Sequence, residues 1–194
     1  MTERKPELVL ASGSPRRREL LERFGYPFKI IPARGEERPP EGLTPGETVI
    51  ALAEQKAREV AALCTGTAVV VGADTVVERD GVLLGKPRTE QEAYDMLLSL
   101  SGRSHRVFTG LCVISGERVL TGYEETAVHF RPLTPEEIRA YVATGEPMDK
   151  AGAYACQGVG ALFVEKLEGD FFNVMGLPLC RLGRLLKKVD VELL

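Results

Sequence analysis

Residues 67–77, TAVVVGADTVV, limit most strongly what this chain can fold into. The run is long and rich in β-branched residues, so it reads as a strand, and one that looks central to a sheet. Asp80-Gly81 behind it is a strong hairpin signal, with VLLG (82–85) returning. ELVLAS (7–12), FKIIPA (28–33) and residues 105–115, 118–130 and 160–169 read as further strands. Ser115-Gly116-Glu117 turns between two of them. Helix signals fall in between. Ser14 is a good N-cap and Pro15 a good first residue for a helix that ends at Gly25. Thr44-Pro45-Gly46-Glu47 is a capping box for a helix running to about Leu63. Thr89 and Glu92 start another, with Ala93, Met96, Leu97 and Leu100 on one face. Thr134-Pro135-Glu136-Glu137 opens a helix ending at Gly145, and a last helix lies near 178–189. Strands and helices mix without strict alternation. The expectation is an α/β protein with a mixed β-sheet and flanking helices, one domain over 1–194 with room for two lobes.

Composition narrows the function. The net charge of -3 does not favour nucleic-acid binding through bulk charge. Basic residues instead gather locally: positions 4, 5, 16, 17, 18, 23 and 29 are Lys or Arg, against Glu at 3, 7, 19 and 22. No apolar run is long enough for a membrane span, and no signal-peptide core is present, so neither a membrane nor export is expected. Cys64, Cys112, Cys156 and Cys180 form no CxxC pair and each follows an apolar residue. They read as small buried hydrophobes in a reducing cytoplasm.

Four constellations could carry chemistry. In LASGSPRRRELL a strand gives way to a small-residue turn and a helix start. Ser12 and Ser14 supply hydroxyls there, and Arg16 and Arg17 sit in the first turn, where the helix dipole disfavours cations. An anion would resolve that mismatch, because backbone N–H groups and guanidinium forks both suit phosphate. A solvated, charged helix start is the alternative. On the helix of residues 45–63, Val49, Leu52, Ala53, Val60 and Leu63 form one stripe, and Lys56 falls near its centre. That lysine either snorkels to the rim or reaches a buried site that holds anions. Asp74 follows the apolar run 68–73, at or near a strand end, as a metal ligand, a general base or a structural cap. A two-residue turn at Asp80-Gly81 would pair Thr75 with Lys86 and Asp74 with Pro87. Lys86 would then lie near Asp74, on the opposite pleat face unless a bulge at Gly85 intervenes. The glycine-broken stretch 145–163, with Asp149, Lys150 and Gln157, is either a close-approach loop or a flexible one. Glu36 and Glu37 are metal-ligand candidates or simply solvated. His105 and His129 receive no role.

Together, LASGSPRRRELL, the Glu pair in 34–42, LAEQKA, GADTVV, GKPRTEQEA, LSGRSHRVFTG, EPMDKAGAYACQG and VMGLPL resemble the Maf family of nucleotide pyrophosphatases, over about residues 7–188. The resemblance implies a Maf/Ham1-like fold with a cleft between two lobes. It implies hydrolysis of a nucleoside triphosphate to monophosphate and pyrophosphate, aided by a divalent metal, Mg²⁺ or Mn²⁺. Arg16, Thr75 and Gln157 match the family's dTTP/UTP branch at the positions that sort substrate. The branch acting on 7-methylguanosine triphosphate typically has an aromatic, Gln and Glu there. Asp74 matches the proton acceptor. Ser14, Arg17, Glu37, Lys56 and Lys86 match positions that the family uses for phosphate or metal contacts; Ser14, Arg17, Lys56 and Lys86 are the expected phosphate ligands and Asp74 and Glu37 the expected metal ligands. Cys156 departs from relatives that often carry Ile before the Gln. The expected role is house-cleaning of nucleotide pools in the cytoplasm, and the resemblance alone suggests a homodimer. Two other readings are a cell-division (septum formation) regulator that acts by binding a partner, and a pyrophosphatase for modified pyrimidine nucleotides.

Overall fold

A seven-stranded mixed sheet carries the chain, and the computed structural model describes residues 6–194 of it. In chain order the elements are β1 (Leu8–Leu10), α1 (Pro15–Glu22), β2 (Phe28–Ile30), α2 (Pro45–Ala61), β3 (Val69–Arg79), β4 (Val82–Leu84), α3 (Glu90–Leu100), β5 (Ser104–Ser115), β6 (Arg118–Phe130), α4 (Pro135–Val142), β7 (Val164–Glu168), α5 (Phe171–Val174) and α6 (Leu179–Lys187). The strand order is β2-β1-β3-β5-β6-β7, with β4 beside β3. β1 runs parallel to β2 and β3, while β3–β4 and β6–β7 are antiparallel. The mixed α/β expectation therefore holds.

Two compact units divide the chain. One comprises residues through Asp74 together with Thr109–Glu124 and Gly176–Leu194; the other comprises Thr75–Phe108 and Glu125–Met175. In the first unit α2 covers the parallel strands. Ala53, Ala57 and Val60 pack with Val9, Ala11, Val70, Cys112 and Ile114 in one buried cluster. Small residues on the helix let it lie close. Gly72 and Gly110 extend that approach, because a Cβ on Gly72 would stand 2.2 Å from the Ala53 carbonyl oxygen and one on Gly110 2.2 Å from that of Val49. A glycine inside a strand often marks this kind of backbone contact.

Local signals account for most element ends. Thr44 and Thr134 form full capping boxes with Glu47 and Glu137, and the Thr89 hydroxyl accepts from the Glu92 N–H. Asp80 and Gly81 take φ of 52° and 82°, the left-handed pair of a type I′ turn, and join β3 to β4. Several expectations need correction. Ser14 stands at the N-cap of α1, but its side chain makes no capping hydrogen bond. α2 stops at Ala61, so Leu63 lies beyond it and is exposed rather than on the apolar stripe. Residues 159–163 form a 3-10 turn, and the strand starts only at Val164. There the Val159 and Gly160 N–H groups bond a carboxylate of Glu146 instead of a neighbouring strand. Cys112 and Cys156 are buried, but Cys180 is exposed and all four cysteines are free thiols. Among the described residues no helix is long and apolar enough to cross a membrane.

Candidate active site

Asp74 lies in the middle of β3, not at its end. It does, however, follow the stretch that pairs with β1, which stops at Val71. Past that point the strand has lost its parallel neighbour, and a side chain has room to meet other groups. Asp74 Oδ1 accepts a hydrogen bond from Lys56 Nζ at 2.6 Å, and Lys56 also contacts Glu37 Oε1 at 2.9 Å. The Asp74 and Lys56 side chains are only 9% and 16% exposed. A charge pair this enclosed is held in place by the packing around it. Lys56 is thus not a rim lysine: the centre of the apolar stripe points it at a carboxylate.

The same helix fixes the loop that brings Glu37. Glu59 accepts from the Arg34 N–H at 2.7 Å and the Gly35 N–H at 3.0 Å, and Gln55 Nε2 donates to the Glu36 carbonyl at 2.6 Å. These bonds lower the Glu59 pKa, the Arg34 N–H contributing most. Glu36 itself turns outward to Arg38. Of the adjacent pair, Glu37 is the one that faces Lys56.

The helix-start arginines have different surroundings. Arg17 Nε donates to the Gly176 carbonyl at 2.7 Å and Nη1 to the Ser12 hydroxyl at 3.2 Å. Burial pulls its pKa below the usual arginine value, Asp74 and Glu37 oppose that shift, and neighbouring Arg16 adds to it. Arg17 therefore shares an electrostatic neighbourhood with both carboxylates. Ser12 also accepts from the Ser14 N–H at 3.3 Å, and no acidic residue stands in the first turn of α1. Arg18 ion-pairs with Glu22 on the exposed face.

The first unit thus brings together Arg17, Lys56, Asp74 and Glu37, with Arg16 and Ser14 on the adjoining helix start. The remaining sequence-predicted residues belong to the second unit. Thr75 is half-buried and, as the next residue of β3, points to the other pleat face. Lys86 is exposed. The β3–β4 ladder ends at Val77 opposite Leu84, so the expected pairings of Thr75 with Lys86 and Asp74 with Pro87 do not form. The Gly85 carbonyl instead accepts from the Gly152 N–H at 3.1 Å, which ties the segment before Lys86 to the 145–163 stretch. Gln157 is exposed on that stretch.

His105 is buried, its Nε2 2.8 Å from the Tyr154 hydroxyl, and burial lowers its pKa to about 4. It belongs to an aromatic cluster with Phe130 and Tyr154. Two features escaped sequence reading. Gly72 and Gly110 set the height of α2 over the sheet, and the glycines within strands were the available signal. Glu146, the first residue of EPMDKAGAYACQG, anchors the 145–163 stretch through the Val159 and Gly160 N–H groups, contacts that its local sequence does not signal.

Asp74 and Glu37 place oxygens on one ammonium group, so the pair suits a hard divalent cation. Mg²⁺ is commonly held by one or two carboxylates, with substrate phosphates and water completing the shell. Among the described residues no larger cluster of three or more His, Cys, Asp or Glu side chains forms a metal site.

Comparison with known proteins finds relatives over almost the whole chain. The chain is 54% identical over 188 residues to a protein of Moorella thermoacetica named dTTP/UTP pyrophosphatase, covering 96% of each chain. It is 50% identical over 190 residues to a protein of the same name from Pelotomaculum thermopropionicum, covering 97% of this chain and 99% of that one. A Bacillus mycoides protein, again so named, is 49% identical over 186 residues, covering 96% and 97%. Among solved structures, a HAM1 protein from Coxiella burnetii shares the fold with a TM-score of 0.50 at 18% identity, over 94% of this chain and 99% of that one. The family described as Maf, Maf-like protein, matches residues 7–189, and the chain belongs to that family.

Proposed function

We propose that this protein hydrolyses dTTP and UTP to the monophosphate and pyrophosphate, as the names of its relatives at about half identity suggest. The observation that carries the proposal is the enclosed Lys56–Asp74 contact at 2.6 Å, with Glu37 on the same ammonium. A carboxylate and cations gathered this way suit an oriented water and a polyphosphate chain.

In this reading Asp74 accepts the proton of the attacking water as its oxygen bonds to phosphorus, and the bridge between the α and β phosphates breaks. Lys56 holds the Asp74 carboxylate in a fixed orientation and lends positive charge to the phosphates. Ser14, Arg16, Arg17 and Lys86 bind the rest of the chain, Arg17 from a posture fixed by Gly176 and Ser12. Arg16, Thr75 and Gln157 select the nucleotide, because a neutral amide can pair with a pyrimidine edge. A divalent cation, Mg²⁺ or Mn²⁺, held by Asp74 and Glu37 would supply further charge neutralisation. The protein acts as one Maf-like domain in the cytoplasm, as a homodimer, keeping nucleotide pools clean.

Pyrophosphate release is the test, with dTTP, UTP, 7-methylguanosine triphosphate and modified pyrimidine nucleotides as substrates for the wild type and Asp74→Asn. The proposal expects release from dTTP and UTP, and loss of at least about 100-fold in kcat in the variant. Full activity in Asp74→Asn would remove Asp74 as the base. A preference for another nucleotide would remove the substrate assignment.

A further inference from the structure

In the second unit, α4 ends at Val142, Gly145 turns the chain with φ of 75°, and a 3-10 turn follows over Glu146–Asp149. The Glu146 side chain then reaches forward across the loop. Its Oε1 accepts from the Tyr141 hydroxyl at 2.7 Å and the Gly160 N–H at 3.1 Å. Its Oε2 accepts from the Val159 N–H at 3.0 Å. The Tyr141 oxygen in turn accepts from the Ala155 N–H at 3.2 Å. One carboxylate and one phenol thus hold the backbone on both sides of Gln157, at Ala155 before it and at Val159 and Gly160 after it. Gly158 lies so close that a Cβ there would stand 2.4 Å from Glu146 Oε2. The ring of Tyr141 packs edge-on to Phe163, 4.9 Å between centroids, and fixes the phenol. Lys150 Nζ donates to the Glu146 carbonyl at 2.7 Å and closes the turn from below.

We propose that Glu146 is a positioning residue for substrate selection: its carboxylate clamps the Gln157 loop and thereby sets how the nucleobase is read. The inference rests on the reading of Gln157 as a base-sorting residue. Gln157 is exposed, and its Oε1 accepts from the Cys156 thiol at 3.6 Å, so the clamped backbone that carries both residues determines where the amide is presented. Removing the carboxylate would orphan two backbone N–H groups and a phenol together. The loop would then sample several positions, and a directed hydrogen bond to the base would lose its alignment before the chemical step is affected.

The experiment measures kcat and KM for UTP and CTP in the wild type, Glu146→Ala, Glu146→Gln, Gln157→Ala and the Glu146→Ala/Gln157→Ala double variant. Glu146→Ala is expected to lower the UTP-to-CTP ratio of kcat/KM about tenfold, with the loss in KM and kcat within about threefold. Glu146→Gln should recover only part of that ratio, because its amide oxygen still accepts while its NH₂ faces a backbone N–H of Val159 or Gly160 that it cannot accept from. In the Gln157→Ala background, Glu146→Ala should change the ratio no further. An unchanged ratio in Glu146→Ala beside a lowered one in Gln157→Ala overturns the clamp alone, as do losses that multiply in the double variant. An unchanged ratio in Gln157→Ala overturns the base-sorting role and the clamp with it. If Glu146→Ala does not fold, Tyr141→Phe removes one bond to the carboxylate without a cavity. It should lower the ratio two- to threefold, and no change there overturns the proposal.

Discussion

Gly72→Ala should damage both stability and catalysis. The added Cβ would stand 2.2 Å from the Ala53 carbonyl oxygen, 2.9 Å from the Ala57 Cβ and 3.0 Å from the Ala57 nitrogen. The nearest of these lies more than about 1 Å inside ordinary contact, which begins near 3.4 Å. Two of the three atoms are helix backbone, so no rotamer change relieves the clash and α2 must lift by about 1 Å. Overpacking that side chains can absorb costs about 1–3 kcal/mol, and a backbone clash belongs at the upper end, about 3 kcal/mol. For a chain of this length each kcal/mol lowers Tm by about 2–4 °C, giving a fall of about 6–12 °C. Because α2 carries Lys56 and β3 carries Asp74, the same displacement separates the pair. A 1 Å error in a catalytic constellation costs about 100-fold in rate. Calorimetry and pyrophosphate release at a temperature where both proteins are folded measure the two effects. Gly183→Ala is the control: this helical glycine has nothing within 4 Å of a new Cβ, and alanine there should be neutral or stabilise by up to about 1 kcal/mol. Wild-type Tm and rate in Gly72→Ala would refute the close-approach argument.

Lys56→Met strands the Asp74 carboxylate without its partner at 2.6 Å. It should cost about 1–3 kcal/mol, and adding Asp74→Asn should return part of that loss; strictly additive costs would show that the two do not interact. Stability should also fall between pH 6.5 and 4 because of His105, whose folded pKa is lowered to about 4. In that window the unfolded chain takes up a proton that the folded one refuses, worth about 3 kcal/mol over the range, and the contribution stops growing below about 4. His105→Gln should flatten that part of a Tm-against-pH curve, and an unaltered slope would exclude His105 as the source. EDTA should abolish pyrophosphate release and Mg²⁺ or Mn²⁺ restore it; activity that survives complete chelation would remove the metal role of Asp74 and Glu37.

Much of the candidate site was legible because physical mismatches mark it. Lys56 stood on an apolar face, where a cation needs a partner, and the partner is Asp74. Arg16 and Arg17 stood at a positive helix end, and Arg17 proves to share its surroundings with Asp74 and Glu37. Capping boxes and the Asp80-Gly81 turn are local codes, so those element boundaries followed from the residues alone. What failed was set by contacts distant in sequence. The pairing extrapolated from the hairpin to Lys86 assumed a ladder that ends at Leu84, because Gly85 bonds Gly152 instead. The strand expected from Gly160 starts only at Val164, after a 3-10 turn, because Glu146, fourteen residues earlier, captures the Gly160 N–H. The residues alone left Glu36 and Glu37 open and only the resemblance pointed to Glu37; Gln55 and Glu59 hold the loop against α2, a tertiary arrangement with no local signature.

Cleavage of dTTP between its α and β phosphates at the proposed Lys56–Asp74 site has a direct chemical signature. Chromatographic identification of the products from dTTP, wild type beside Asp74→Asn, tests it most directly. The wild type should yield dTMP and pyrophosphate, and the variant almost none. Release of dTDP and inorganic phosphate, or equal dTMP from both proteins, would contradict it.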